Sequence, residues 1–116
     1  RIADPAALTG LRDFIVDTTR LEEERLEAIN ALASLRGPDK MNALIRLLDD
    51  PNANIRLHIV NALGQVGDAL VIPTLRRRRT AETVAGVRTA IDEAITAIEE
   101  RARERAQEAT APAATN

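Results

Sequence analysis

Apolar side chains recur three and four residues apart along most of the chain. Two stretches show the spacing most clearly, with apolar or small residues at Ala28, Ile29, Leu32 and Leu35 and at Ile59, Val60, Leu63 and Val66. On a helix of 3.6 residues per turn this spacing forms a single apolar stripe. No stretch of useful length alternates with the period of two that is typical of a half-buried strand. The pattern therefore predicts an all-α protein.

The helical segments recur in two alternating families. Each family has three members, at offsets of 31 and 32 residues in one family and of 33 and 31 residues in the other. The members are 25–32, 56–63 and 88–95 in the first family and 8–15, 41–48 and 72–79 in the second. Strict alternation of two kinds of helical segment indicates one helical hairpin repeated three times.

Capping and turn residues predict the ends of these helices. Asp4 before Pro5 is typical of an N-cap followed by proline in the first turn, and Thr19 with Glu22 has the spacing of a capping box. Gly37 before a proline indicates a turn between hairpins. The predicted helices span 5–16, 20–36, 39–49, 52–66, 69–79 and 82–108.

We therefore predict a short α-solenoid of about three helical hairpins with an extended C-terminal helix. The repeat domain covers residues 1–109, with hairpins over about 4–36, 38–66 and 68–108, and residues 110–116 form a disordered Ala/Thr/Pro tail. Beyond Ile98, alanine is the only apolar residue type in the last helix. A helix that is polar all round usually projects into solvent, and docking of this extension on a partner is the alternative.

The second hairpin resembles a known repeat. Residues 41–56 read MNALIRLLDDPNANIR, and residues 62–68 read ALGQVGD. This pattern is similar to the HEAT repeat, in particular to the short HEAT-like form that includes the phycobilisome-lyase type. The resemblance implies a right-handed helical solenoid that binds proteins, with nucleic-acid and chromophore chemistry as minority uses.

The same resemblance implies a ladder of ion pairs along the stack. In that family, an aspartate in the turn of each hairpin pairs with an arginine early in the second helix. The third hairpin departs from the pattern because it lacks the turn aspartate. The matching pairs are Asp17 with Arg25, Asp50 with Arg56 and, at best, Glu82 with Arg88.

Substitutions at the stacking positions predict where the stack ends. Positions that are apolar in the first two hairpins become Arg78, Arg79 and Asp92 in the third. An end repeat needs a polar outer face, so we interpret the third hairpin as a C-terminal cap. The first hairpin shows no such change, and we predict that it presents an open apolar face that binds protein. The residues of this face are Leu8, Leu11, Phe14 and Ile15.

Composition excludes several classes of site. The chain has 116 residues and no cysteine, and its only histidine and only aromatic residue are His58 and Phe14. Disulfide frameworks, zinc ribbons and thiol chemistry are thereby ruled out, and stacking on nucleotide bases lacks the aromatic side chains it needs. No apolar run approaches the ~20 residues of a membrane-spanning helix. We expect no catalytic residue, no cofactor and no metal.

Four consecutive arginines form the strongest local charge signal in a chain of net charge −2. Four successive residues spread around a helix and cannot all address one ligand. Near a helix C-terminus, each cation is also favoured by ~0.3–1 kcal/mol. One interpretation is a solvated helix end paired with acids, and the others are an acidic protein partner and a phosphate or nucleic-acid contact. The candidate anion-binding residues are Arg76, Arg77, Arg78 and Arg79.

A polar stripe on the second helices is another candidate binding surface. His58, Asn61 and Gln65 share one helix face, and Asn30 occupies the matching place one hairpin earlier. We expect this stripe on the concave face, where amides at equivalent positions can bind an extended backbone as donor and acceptor together. His58 is either an ordinary surface histidine or a ligand, and Glu27 alone is near enough in sequence to assist it, whereas a metal site needs two or three partners.

These features predict a non-enzymatic protein-protein interaction or scaffold module, either a subunit of an assembly or the C-terminal part of a longer HEAT-repeat protein. One alternative is a chromophore lyase or chaperone of the phycobilisome-lyase type. Another is nucleic-acid or anion binding through residues 76–79, although nucleic acid is not the partner we favour. We expect a protein partner and a soluble protein, with a cytoplasmic location favoured and a cleaved signal peptide left open by the initial Arg1.

Overall fold

Six α-helices account for most of the described chain. The computed structural model describes residues 4–110, and that range contains no β-strand. The fold class predicted from the sequence is therefore confirmed. Thr110 belongs to the last helix rather than to the predicted tail, and residues 111–116 lie outside the described range. The helices are α1 (Pro5–Val16), α2 (Glu22–Ala33), α3 (Asp39–Arg46), α4 (Ala53–Val66), α5 (Ile72–Ala81) and α6 (Ala85–Thr110), with a 3-10 turn over Ala69–Val71 before α5.

The helices pair in chain order into three hairpins. The first hairpin is α1 with α2, the second α3 with α4, and the third α5 with α6. The second helices α2, α4 and α6 lie side by side, and the contact between α4 and α6 is the most extensive in the molecule. We call these three helices the inner layer and α1, α3 and α5 the outer layer. Each hairpin thus packs on the next, as in an α-solenoid.

The apolar stripes of the sequence form one continuous core between the two layers. Ile29 and Leu32 of α2 and Ile59 and Leu63 of α4 are completely buried. Each such side chain contributes about 1.5–3 kcal/mol relative to its exposed state, so the stack is stabilised mainly by these aliphatic residues. The other completely buried large side chains are Ile15, Leu44, Ile55, Val60, Leu75 and Ile91.

Local hydrogen bonds determine where the first two helices begin. The Asp4 carboxylate accepts a hydrogen bond from the Ala6 N–H at 3.0 Å, which confirms the N-cap before Pro5. The predicted capping box is wrong, because Thr19 bonds to the Asp17 carboxylate and α2 begins only after the next two residues. The short polar side chain of Thr19 therefore stabilises the turn of the hairpin instead of the helix end.

Two buried ion pairs join successive hairpins. Arg25 of α2 donates a hydrogen bond to the Asp50 carboxylate of the second hairpin. Arg56 of α4 donates from Nε and Nη2 to the two carboxylate oxygens of Glu82 in the third hairpin, both at 2.9 Å. None of the four residues is more than 9% exposed. Each arginine therefore fixes the position of the hairpin that follows its own.

This geometry corrects the predicted ladder, in which Asp17 pairs with Arg25 and Asp50 with Arg56. Both arginines reach forward by one hairpin instead of pairing within their own. The physical reason lies in the turn, where Oδ1 of Asp50 accepts the Asn52 N–H at 2.9 Å. Its other oxygen is thereby directed at Arg25 of the preceding hairpin, and Arg56 donates to the Asp50 backbone carbonyl at 2.8 Å.

The third hairpin keeps a turn acid, although the sequence indicates that the aspartate is lost. Glu82 accepts a hydrogen bond from the Val84 N–H at 3.0 Å, in the same way that the turn aspartates of the first two hairpins bind the N–H two residues later. Arg88 donates to the Glu82 backbone carbonyl at 3.0 Å and not to its carboxylate. The expected pair of Glu82 with Arg88 is therefore also wrong, because the Glu82 carboxylate is paired with Arg56 instead.

Two glycines let α6 approach the end of α4 closely. A Cβ atom at Gly64 would lie only 3.1 Å from the Cβ of Ala94, and one at Gly67 only 3.3 Å from Cδ1 of Ile98. Arg101 of α6 donates hydrogen bonds to the carbonyl oxygens of both glycines, at 2.7 and 2.8 Å. The extended helix is thus fixed to α4 as far as Arg101, and residues 102–110 beyond it are exposed.

Removing the charge of Glu82 should weaken the stack. Glu82→Gln leaves the Arg56 guanidinium buried without its counter-charge, and we expect a loss of about 3 kcal/mol in the free energy of unfolding. Urea unfolding followed by circular dichroism measures this loss. Glu99→Gln is the matched control, because it removes an equal charge from the exposed ion pair with Arg76 and should leave the midpoint almost unchanged. Equal effects of the two substitutions would show that the buried pair has no special role.

Acid should weaken the same ion pair. The hydrogen bonds from Arg56 lower the pKa of Glu82 from 4.5 to about 2, so in this range the unfolded chain binds more protons than the folded one. The stabilisation is complete above about pH 4.5 and is lost as the pH falls towards 2. We expect the free energy of unfolding to decline more steeply over this range in the wild type than in Glu82→Gln. Parallel curves would contradict the assignment.

A methyl group at Gly67 should destabilise the end of α4 and the turn that follows it. In Gly67→Ala the new Cβ meets the Leu63 carbonyl at 2.5 Å and Val71 at 3.0 Å, and we expect a loss of about 1–3 kcal/mol in urea unfolding. Gly10→Ala is the control, because Gly10 lies within α1 and, apart from the nearby backbone of that helix, no atom lies within 4 Å of the added carbon. That substitution should raise stability by up to about 1 kcal/mol. If both substitutions raise the free energy of unfolding, or both lower it, the result would argue against close packing at Gly67.

Candidate functional site

A groove lies on the inner layer between α2 and α4. It has a volume of about 440 Å³, a floor of small and aliphatic side chains, and a polar rim. The structure thus brings three predicted binding residues of α4, His58, Asn61 and Gln65, next to residues of α2. The lining residues are Asn30, Ala33, Ser34, His58, Asn61, Ala62, Gln65 and Val66.

A second groove of about 340 Å³ continues the first between α4 and α6. Asn61 and Gln65 line both grooves, so the two form one trough across α2, α4 and α6. We call this surface the inner trough. On the α6 side it is lined by Ala90, Glu93 and Arg101, among others. The trough follows the direction in which the hairpins stack.

The middle of the inner trough presents neutral amides. Asn30, Asn61 and Gln65 are exposed, and Asn30 and Asn61 occupy equivalent positions on neighbouring helices. A side-chain amide offers a carbonyl acceptor and two N–H donors, which match the two polar groups of a peptide unit. Between these amides the floor consists of small side chains such as Ala33 and Ala62, which leave room for a main chain.

His58 lies at the edge of the trough and is half-buried. Its Nδ1 lies 2.9 Å from the Asn54 carbonyl oxygen one turn earlier in α4. Beside it, Glu22 accepts hydrogen bonds from the side chains of Asn52 and Asn54 at 2.7 and 2.6 Å, and these bonds lower the pKa of Glu22. The starts of α2 and α4 are thereby tied together. Residues 4–110 contain no group of three histidine or carboxylate side chains placed to hold a metal ion.

The consecutive arginines of α5 point in different directions, and two of them bind acids of α6. Arg79 donates to both carboxylate oxygens of Asp92, at 2.6 and 3.0 Å, and these bonds lower the pKa of Asp92. Arg76 lies 3.3 Å from a carboxylate oxygen of Glu99. These exposed pairs cover the outward side of the third hairpin, which is the polar surface expected of a stack end.

The other two arginines face a different part of the surface. Arg78 approaches Glu82 at 3.4 Å, while Arg77 donates to the Thr74 hydroxyl at 3.2 Å and pairs with no carboxylate in the described range. The four side chains therefore do not form one anion site. Three of them have acidic neighbours, which supports the interpretation of this segment as a paired helix end.

The N-terminal residues predicted to bind protein are largely covered. Leu8, Leu11 and Phe14 are half-buried against the core, and Ile15 is completely buried, because α1 directs this side towards α2 and α3. The Arg20 guanidinium lies 4.3 Å from the centre of the Phe14 ring. The expectation of an open apolar face is therefore corrected, and Ile15 is inaccessible to a partner. A binding role for the three half-buried residues stays a prediction.

The outward side of the first hairpin carries only isolated apolar groups. Val16 and Leu21 are 51% and 67% exposed, but they lie at the two ends of the turn between α1 and α2. On α2, Glu24 is exposed at the position that Ile55 and Val87 occupy in the other hairpins. The first hairpin thus carries a charged side chain at a position that is buried and apolar in the other two.

Comparison with known proteins agrees with this architecture. A family model described as HEAT repeats matches residues 20–96, from the turn before α2 into α6. The chain belongs to the HEAT-repeat family. The match establishes this broad family and not the phycobilisome-lyase type. HEAT repeats generally mediate protein-protein interaction, and proteins built from them are typically non-enzymatic scaffolds. No curated protein and no solved structure matches the chain.

Between residues 4 and 110, no helix is both long enough and apolar enough to cross a membrane.

Sequence reasoning missed two residues that line grooves in this HEAT-repeat chain. Arg101 lies three residues after the buried Ile98, so it continues the buried face of α6. This spacing could have predicted the contact of Arg101 with α4. No sequence pattern predicts that Arg46, in the last turn of α3, lines a groove. The opposite side of that groove, with Thr74 and Arg77, comes from a different hairpin.

Proposed function

We propose that this chain is a non-enzymatic protein-binding scaffold that holds an extended segment of a partner protein in the inner trough. In this role it acts as a subunit of an assembly, with the partner chain crossing α2, α4 and α6. The observation that carries the proposal is the row of exposed amides along the trough, in particular Asn30 and Asn61 at equivalent positions.

The dimensions of the trough suit an extended peptide. Neighbouring packed helices are about 8–10 Å apart, and an extended chain advances about 3.3 Å per residue. Amides on successive inner helices therefore meet every third residue of a bound segment. An amide that contacts the backbone contributes two hydrogen bonds without selecting a side chain, so specificity comes from residues that border the trough, such as His58, Glu93 and Arg101.

The contents of the trough favour binding over catalysis. General acid–base chemistry requires a titratable group held beside a second polar group in a pocket. Here His58 is bonded to a helix carbonyl, the Glu22 carboxylate beside it is bonded to Asn52 and Asn54, and the other α4 side chains with polar groups along the trough are the neutral amides of Asn61 and Gln65. Non-enzymatic binding also agrees with the typical role of HEAT-repeat proteins.

Selection of displayed random twelve-residue peptides on the purified chain, followed by titration of a selected peptide, tests the proposal. Asn61→Ala removes one amide from the trough, and we expect about tenfold weaker binding because about two hydrogen bonds are lost. Asn42→Ala is the matched control, since Asn42 is exposed on α3 of the outer layer. It should leave the affinity unchanged. NMR shift changes should map to α2, α4 and α6.

Three outcomes would contradict this function. One is that no peptide is enriched over an unrelated helical protein. Another is that Asn61→Ala and Asn42→Ala weaken binding equally. The third is that the NMR changes lie outside the inner layer, which would assign binding to another surface. Circular dichroism of both variants separates a loss of binding from a loss of structure.

A further inference from the structure

A separate groove lies on the outer layer between α3 and α5. It has a volume of about 380 Å³. Its apolar floor includes Ile45, Leu48 and Ala81, and its walls carry Arg46 of α3 with Arg77 and Arg78 of α5. We call this surface the outer groove. It shares no residue with the inner trough, so inferences about it do not depend on the function proposed above.

The arginines of the outer groove lack full partners. Neither Arg46 nor Arg77 is paired with a carboxylate among residues 4–110. The Nε of Arg78 is buried without any hydrogen-bond partner. A buried donor without an acceptor is unfavourable, whereas Arg46 and Arg77 are exposed and accessible to an acceptor in the groove.

The nearest acids do not satisfy these arginines. Both carboxylate oxygens of Glu82 are taken by Arg56 at 2.9 Å, which leaves Arg78 only the longer contact of 3.4 Å. Asp49 is the one carboxylate among the residues that line the groove. The lining thus carries three guanidinium groups and one carboxylate, in a chain whose net charge is −2. The local charge is opposite in sign to that of the whole molecule.

We infer that the outer groove binds an acidic peptide segment of a partner protein. A glutamate or aspartate carboxylate of that segment lies between Arg46 and Arg77, where charge-assisted hydrogen bonds to guanidinium are strong. An apolar side chain of the same segment lies on Ile45, Leu48 and Ala81. The occupant is assigned by charge complementarity together with this apolar floor.

The same features disfavour nucleic acid as the occupant. A nucleic-acid surface has a basic stripe across several elements, and single strands also need aromatic side chains on which bases stack. The outer groove is one short patch on two helices, and the only aromatic residue, Phe14, lies in α1 under Arg20. An apolar floor also offers nothing to a sugar-phosphate backbone, whereas it suits a leucine or isoleucine.

Fluorescence anisotropy at low salt tests this assignment with three labelled probes. The first is a nine-residue peptide of alternating glutamate and leucine, and the second has glutamine in place of every glutamate. The third is a twenty-nucleotide oligothymidine. We expect the intact chain to bind the glutamate peptide, and to bind the glutamine peptide and the oligonucleotide at least about tenfold more weakly. Raising the salt to 0.5 M should weaken the complex, because exposed charges are then screened.

Charge reversal in the groove provides the matched comparison. Arg77→Glu and Arg76→Glu change the net charge equally and stand side by side in α5, but only Arg77 lines the outer groove. We expect Arg77→Glu to weaken binding of the glutamate peptide about tenfold and Arg76→Glu by less than about twofold. Arg46→Glu on α3 should act like Arg77→Glu. Circular dichroism confirms that each variant is folded.

Each contrary result overturns the assignment. If Arg76→Glu and Arg77→Glu weaken binding of the glutamate peptide equally, the affinity depends only on the overall charge of the chain and not on the outer groove. Tighter binding of oligothymidine than of the glutamate peptide, with the same response to Arg77→Glu, would make the groove a nucleic-acid site. Absence of binding by the glutamate peptide at millimolar concentration in low salt would leave the arginines as a solvated surface.

Discussion

The stack depends on the buried pairing of an arginine in one hairpin with a turn acid in the next. Removing charged groups from water is costly, and such a pair is favourable only when its geometry is good and its remaining atoms are also bonded. Both conditions hold here, because Arg56 binds both oxygens of Glu82 and the Asp50 carbonyl, while Glu82 also accepts the Val84 N–H. Apolar packing supplies most of the stability, and the ion pairs fix the relative position of the hairpins.

The two proposed binding surfaces follow from that position. The inner trough exists because α2, α4 and α6 lie side by side, which aligns equivalent residues such as Asn30 and Asn61. The outer groove lies between α3 and α5, and it is basic because Glu82 binds Arg56 and leaves Arg78 incompletely bonded beside Arg77. One surface is neutral and suits a peptide backbone, whereas the other is basic and suits acidic side chains. A scaffold with both can hold two segments of a partner, or two partners, on opposite sides.

Several features of the structure could be predicted from the sequence because they depend on local or periodic patterns. The stripe of Ile59 and Leu63 predicted a buried helix face, the cap at Asp4 predicted the start of α1, and the period of the repeat placed Asn61 on the inner layer. The polar outer surface of the third hairpin was also readable, because Asp92 replaces a buried residue of the second and pairs with Arg79. Each of these features depends on helical geometry within one segment or on a comparison of equivalent positions.

The sequence by itself determined the fold class, the repeat and the identity of the polar stripe, because helical periodicity is a property of neighbouring residues. Only the tertiary structure decided which acid each arginine binds, since Asp50 and Glu82 are directed by their own turn hydrogen bonds towards the preceding hairpin. It also decided that Ile15 is buried while Arg46 lines a groove. Those outcomes depend on how residues from different hairpins pack together. A local sequence pattern does not encode such contacts.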